Sequence, residues 1–128
     1  MASWVTGIAA VTLFQEDLDA AKDFYRDVFE LPVYFEDPDS AVFQFGATLI
    51  NLLKASEAND LIAPAAVAAA TSGSRIQFTL AVDDVDAICQ RLASRGVTLL
   101  NGPVDRSWGP RTASFQDPGG HIWEIATG

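Results

Sequence analysis

Glu124 and His121 lie three residues apart in Gly119-Gly120-His121-Ile122-Trp123-Glu124-Ile125, a segment that alternates as a strand does. A carboxylate and an imidazole together can supply general acid–base chemistry. The odd step between them, however, sends their side chains to opposite faces of a strand. His121 is therefore read as a turn or helix-facing histidine, and Glu124 as the candidate general base or cation-binding group. Upstream, Trp108 sits in Arg106-Ser-Trp-Gly-Pro-Arg111, a Gly/Pro-flanked loop that suits a lid or stacking surface. Arg111 closes that loop and could bind an anionic group or serve as an edge-strand charge against aggregation. The chain has one histidine and one cysteine, which excludes a within-chain site of two imidazoles, a disulfide framework and a Cys-rich zinc site. Cys89 needs no reactive role. There is no phosphate-cradling glycine loop, dinucleotide fingerprint, Gly-x-Ser-x-Gly elbow or Cys–His nucleophile pair.

A length of 128 residues suits one compact domain, or two very small units sharing a core. With 49 % apolar and 20 % charged residues, the composition is globular rather than disordered. The formal charge of −9 argues against nucleic acid or an anionic membrane surface as partner, since both require basic patches. It leaves neutral or cationic small molecules open. Residues 1–56 hold most of the charge, three basic against nine acidic side chains. Met1-Ala2-Ser3-Trp4 lacks the basic region of a signal peptide. The longest apolar run, Leu61 to Ala70, is broken by Pro64 and falls short of the ~20 residues of a membrane helix. A cytoplasmic location is the expectation.

The elements that must position these residues come from an internal repeat. Val11–Ala20 can be laid over Phe78–Ala87 with five of ten positions identical, Asp17/Asp84 and Asp19/Asp86 among them. In each copy an alternating strand ends at an acidic helix cap, Asp17 or Asp84, and an amphipathic helix follows. Leu18, Ala21, Tyr25 and Val28 or Phe29 form the first apolar stripe, stopped by Pro32. Val85, Ile88, Cys89 and Leu92 form the second, ended at Gly96. Three strand-like segments follow each helix, at 33–37, 41–45 and 48–54, then at 97–101, 111–116 and 121–126, with Gly102-Pro103 and Asp117-Pro118-Gly119-Gly120 as breaks. Each copy reads β-α-β-β-β. The fold class is α+β, with a first module over 1–56, an Ala-rich linker over 57–74 carrying one helical turn, and a second module over 75–128.

This doubled unit resembles the vicinal-oxygen-chelate superfamily of glyoxalases, bleomycin-resistance proteins, fosfomycin-resistance transferases and extradiol dioxygenases. Thr12-Leu13-Phe14 to Asp17-Leu18 with Phe24-Tyr25, then Val82-Asp83-Asp84-Val85 with Leu92 and Arg95-Gly96-Val97, carry the match. Phe115 to Ile125 looks like the closing strand–turn–strand. The resemblance implies modules that curl a mixed sheet around a cup, often completed in a homodimer. It also implies metal ligands from the first and last strand of each module, and these positions land on Ala10, Asn51, Gln77 and Glu124. Alanine cannot ligate and neutral amides are weak ligands for zinc, nickel or iron, so no metal or other cofactor is expected.

Strand parity then sorts the cup. Thr12 and Phe14 share a face with Ala10, Leu49 and Leu53 with Asn51, Thr79 and Ala81 with Gln77, and Ile122 with Glu124. Ile76, Phe78, Leu80 and Val82 face the helices. Trp123 has the parity of Ile125 and belongs to the core, and Phe43 and Phe45 share a face that parity alone does not identify. The expected ligand surface is thus Ala10, Thr12, Phe14, Leu49, Asn51, Gln77, Thr79, Ile122 and Glu124, with Trp108 and Arg111 at its margin. A mainly apolar cup with a few polar points suits a small organic molecule, such as an antibiotic or toxic metabolite held in sequestration. The alternatives are an enzyme using Glu124 as base or ligand, and a non-catalytic partner-binding module.

Overall fold

The computed structural model describes residues 3–127. Two four-stranded mixed sheets form, with strand orders β1-β4-β3-β2 and β5-β8-β7-β6. The first holds β1 (Ala10–Gln15), β2 (Phe35–Asp37), β3 (Ser40–Phe45) and β4 (Thr48–Lys54). The second holds β5 (Gln77–Ala81), β6 (Asn101–Asp105), β7 (Arg111–Gln116) and β8 (Ile122–Ala126). In each sheet the first strand lies parallel to the last, Thr12 beside Asn51 and Thr79 beside Glu124, and the other pairs are antiparallel. Helix α1 (Leu18–Val28) follows β1 and α3 (Val85–Ser94) follows β5, while a short α2 (Asn59–Ile62) lies between the sheets in sequence, flanked by 3-10 turns at Ala55–Glu57 and Ala70–Ser72.

The expected caps form. Asp17 accepts the Ala20 N–H at 3.0 Å and Asp84 the Ala87 N–H at 3.1 Å, each satisfying a donor that the first helical turn leaves free. Helix α3 ends as the Gly96 position requires. The Gly96 N–H reaches the Ala93 carbonyl and the Val97 N–H the Leu92 carbonyl, both at 3.0 Å, with Gly96 at φ +79°. Helix α1 stops earlier than Pro32, because Glu30 turns the chain at φ +56°. From there its carboxylate accepts from Arg91 and Arg95 of the second module.

One strand departs from expectation. The segment 97–101 does not form β6; the strand begins at Asn101 and runs through Gly102-Pro103 with a bulge between Asn101 and Val104. Residues 96 and 97 are occupied in closing α3. Pro103 is tolerated because β6 is a sheet edge, where a missing N–H faces outward. Gly102 fits because its φ is +91° and a Cβ there would lie 2.5 Å from the Thr112 carbonyl oxygen. Strand β2 is also shorter than 33–37, covering only Phe35–Asp37.

The helix-facing sides of both sheets share one apolar core. Tyr25 of α1 sits between Phe43 and Trp123, with ring centroids 5.7 and 6.1 Å away. Phe45 stacks on Trp123 at 5.1 Å, and Phe29 lies 5.9 Å from Phe115. Phe43 and Phe45 thus belong to the helix side. Leu13, Ile50, Leu52, Ala113 and Ile125 complete the seam. The opposite faces of the two sheets, where parity put the cup residues, point away from this core.

Candidate functional site

In the first module, Thr12 and Asn51 are lateral neighbours on β1 and β4, with Ala10 beside Leu49 and Phe14 beside Leu53. The Asn51 Nδ2 donates to Thr12 Oγ1 at 3.3 Å. Its Oδ1 is buried without a hydrogen-bond partner among the described residues. A buried acceptor left unpaired costs about 1–3 kcal/mol. This face therefore holds the Asn51 amide and the Thr12 hydroxyl among apolar neighbours, with the amide oxygen sunk below the surface.

In the second module, Thr79 Oγ1 donates to Glu124 Oε1 at 3.0 Å, and Gln77 lies beside Ile122. The loop after β6 overhangs this face. Thr79, Glu124, Trp108, Pro110, Ala126 and Thr127 line an open cleft of about 500 Å³. The Trp108 ring is 73 % exposed, yet its loop is held. Arg106 lies 5.7 Å from the ring centroid and donates to Thr112 Oγ1 and Asn101 Oδ1, each at 2.8 Å. The Arg106 N–H also bonds the Pro110 carbonyl at 2.8 Å. The indole is thus a preset stacking platform near a carboxylate, an arrangement that suits a flat or cationic ligand.

Arg111 is placed differently from expectation. It shares the helix-side parity of Ala113 and Phe115, away from Glu124. Its guanidinium forks onto Asp86 at 3.0 Å and reaches Asp105 at 3.1 Å. Asp86 first, then Asp105, push its pKa upward. Its donors are spent inside the fold, so Arg111 takes no part in the cleft. Two residues were missed by the sequence reading. Ser114 lies beside Glu124 on β7 and Arg106 anchors the loop. The alternation of Thr112, Ser114 and Gln116 against Ala113 and Phe115 was the available signal for Ser114. Cys89 is half-buried, and burial followed by Asp86 pushes its thiol pKa up, away from a nucleophile.

Among the described residues, no strand of the first sheet pairs with a strand of the second. Hydrogen bonds join the expected cup residues only inside each module, Asn51 to Thr12 and Thr79 to Glu124, among the described residues. The donor set does not fit a transition metal either. Ala10 offers nothing, Asn51 and Gln77 offer amides, and Glu124 already accepts from Thr79. Among the described residues, no group of three His, Cys, Asp or Glu side chains is placed to hold a metal ion.

His121 faces away from Glu124, into a buried network that ties the modules together. Asp117 is 3 % exposed and accepts from Tyr25 Oη at 2.8 Å, Gln15 Nε2 at 3.0 Å, and the His121 N–H and Nδ1 at 2.9 Å. Trp123 Nε1 donates to Tyr25 Oη at 3.1 Å. Burial alone would raise the Asp117 pKa, but hydrogen bonds and charge from His121, with Gln15, hold it below the usual carboxylate range. Burial, and then the Asp117 charge, push the Tyr25 hydroxyl far above its ordinary value. A Cβ at Gly119 would press on the Gln15 and His121 side chains of this network, so a larger residue there would have to shift them.

The sequence model of the Glyoxalase/Bleomycin resistance protein/Dioxygenase superfamily matches residues 7–125. Uncharacterized protein YraH of Bacillus subtilis (strain 168) is 31 % identical over 121 residues, 90 % of this chain and 93 % of that protein. Metallothiol transferase FosB of Shouchella clausii (strain KSM-K16) is 28 % identical over 128 residues, 97 % of this chain and 82 % of that protein. The crystal structure of lactoylglutathione lyase from Agrobacterium tumefaciens superposes with a TM-score of 0.77 at 26 % identity, covering 97 % of this chain and 95 % of that one. No described helix is long and apolar enough to cross a membrane.

Proposed function

The chain belongs to the glyoxalase/bleomycin resistance protein/dioxygenase superfamily, and from that premise we propose that it binds a small organic molecule without a catalytic metal, in a cup that two copies of the chain complete. The carrying observation is the buried Asn51 Oδ1, an acceptor without a partner on an apolar half-cup. It supports a ligand that brings an N–H or O–H donor. Because the helix sides of both sheets meet in one core, the Asn51 half and the Glu124 half face outward separately. A second copy sets the first module of one chain against the second module of the other. Trp108 then stacks on the ligand, and Glu124 takes its positive or donor end. Sequestration of an antibiotic or toxic metabolite is the specific reading.

The similarity to a metallothiol transferase and a lactoylglutathione lyase favours a second reading, an enzyme in which Glu124 acts as base or metal ligand. Tryptophan fluorescence against a panel of aromatic cations and antibiotics, run beside light scattering and add-back of zinc, nickel, manganese and iron, separates the two. The binding reading expects a dimer, saturable quenching that weakens in Trp108→Ala, and no stoichiometric metal. A tightly held metal lost in Glu124→Gln overturns it in favour of the enzyme.

A further inference from the structure

A cavity of about 310 Å³ lies under the Ala-rich segment, where the end of β1 meets the β7–β8 turn. Phe14, Val67 and Ile76 give it apolar walls, and His121, Glu16 and Arg75 also line it. Its size falls at the lower end of ligand pockets, which begin at roughly 300 Å³.

His121 enters this cavity with a fixed tautomer. Ionised Asp117 can only accept, so the ring nitrogen facing it at 2.9 Å, Nδ1, must carry the proton. In the neutral ring the lone pair is then on Nε2. That nitrogen has no hydrogen-bond partner among the described residues, and the side chain is 18 % exposed. A carboxylate that fixes the tautomer of an imidazole lining a cavity is the arrangement of an oriented proton acceptor. The remaining charges are unequally available. Glu16 Oε1 is engaged by the Ala70 N–H at 3.0 Å, whereas Arg75 has no ion-pair partner among the described residues.

We infer that this cavity is a second ligand site, which takes a small aromatic molecule carrying an acidic hydroxyl, of the phenol class. Ring and apolar walls meet. The hydroxyl proton passes to His121 Nε2, so that the O–H bond breaks, the N–H bond forms, and the resulting imidazolium stays paired with Asp117. Arg75 faces the phenolate oxygen. Tyr25 holds Asp117 from the other side, and Glu16 marks the rim.

The probe is 4-nitrophenol, added to the full chain just below the pH at which the free phenol ionises. Saturable binding with the yellow phenolate band appearing on the protein is expected. In His121→Phe that band is lost. In Ala68→Phe, which fills the cavity from an exposed position remote from the Asp117 network, binding weakens at least about tenfold. Absence of saturable binding to the wild type overturns the inference. So does binding that Ala68→Phe leaves unchanged, or a phenolate band that survives in a folded His121→Phe.

Discussion

Removing a single oxygen at Tyr25 is expected to loosen the junction between the modules. Tyr25 is fully buried, and its hydroxyl both donates to Asp117 Oδ2 at 2.8 Å and accepts from Trp123 Nε1 at 3.1 Å. Tyr25→Phe keeps the ring contacts with Phe43, Phe45 and Trp123. It removes a hydrogen bond to a charged acceptor, worth about 1.5–3 kcal/mol, and leaves the Trp123 N–H unpaired, at about 1–3 kcal/mol. Easier burial of phenylalanine offsets part of this, for a net loss of about 3 kcal/mol. At about 4 °C per kcal/mol for a domain of this size, Tm falls by about 12 °C. Urea unfolding followed by both tryptophan fluorescence and far-UV circular dichroism gives the free energy and tests whether the two signals coincide. Tyr34, 60 % exposed, provides the control, and Tyr34→Phe should stay within about 0.5 kcal/mol of wild type. A Tyr25→Phe loss below about 1 kcal/mol, or one equal to the control, would refute the buried network as a structural junction.

Three further outcomes follow from the same geometry. The folded Asp117 carboxyl lies below its ordinary value of 3.8, so its contribution is present above that pH and disappears as pH falls through the lower folded value. Urea midpoints from about pH 5 to about pH 2 should therefore drop more steeply for wild type than for Asp117→Asn, and parallel curves would contradict this. Gly102→Ala must hold φ +91° and bring a Cβ to 2.5 Å from the Thr112 carbonyl, and should lose at least about 2 kcal/mol in a thermal melt; an unchanged Tm counts against the bulge. Asn51→Leu removes the unpaired buried acceptor together with the Nδ2 bond to Thr12, so the free protein should stay within about 1 kcal/mol of wild type while ligand affinity falls about tenfold; a loss well beyond that would show that Oδ1 is satisfied.

The helix starts and the end of α3 are readable because the physics there is local, whereas α1 ends at Val28, before the Pro32 that the sequence offers as its stop. An acidic cap, an apolar stripe and a glycine at the close each act within a few residues, and Asp17, Asp84 and Gly96 do what their positions imply. Strand β6 was misplaced because Gly102-Pro103 reads locally as a break, whereas an edge strand with a bulge accommodates both residues. Parity separated Glu124 from His121 and placed Trp123 in the core. It could not reveal that Arg111 is held by Asp86, 25 residues away, or that Arg106 anchors the Trp108 loop, since those partners meet only after the chain folds.

Nor does parity say which faces of the two sheets meet, and that choice follows from composition. The helix-side positions carry Leu13, Phe43, Leu52, Phe115, Trp123 and Ile125, all buried here. The opposite faces carry Thr12, Asn51, Gln77, Thr79 and Glu124. Closing on the first set removes more apolar surface from water than closing on the second would. A single chain therefore closes on its apolar sides and leaves two polar-studded half-cups outward. The Asn51 acceptor, still unpaired there, is the part of this arrangement that a ligand or a second copy can satisfy.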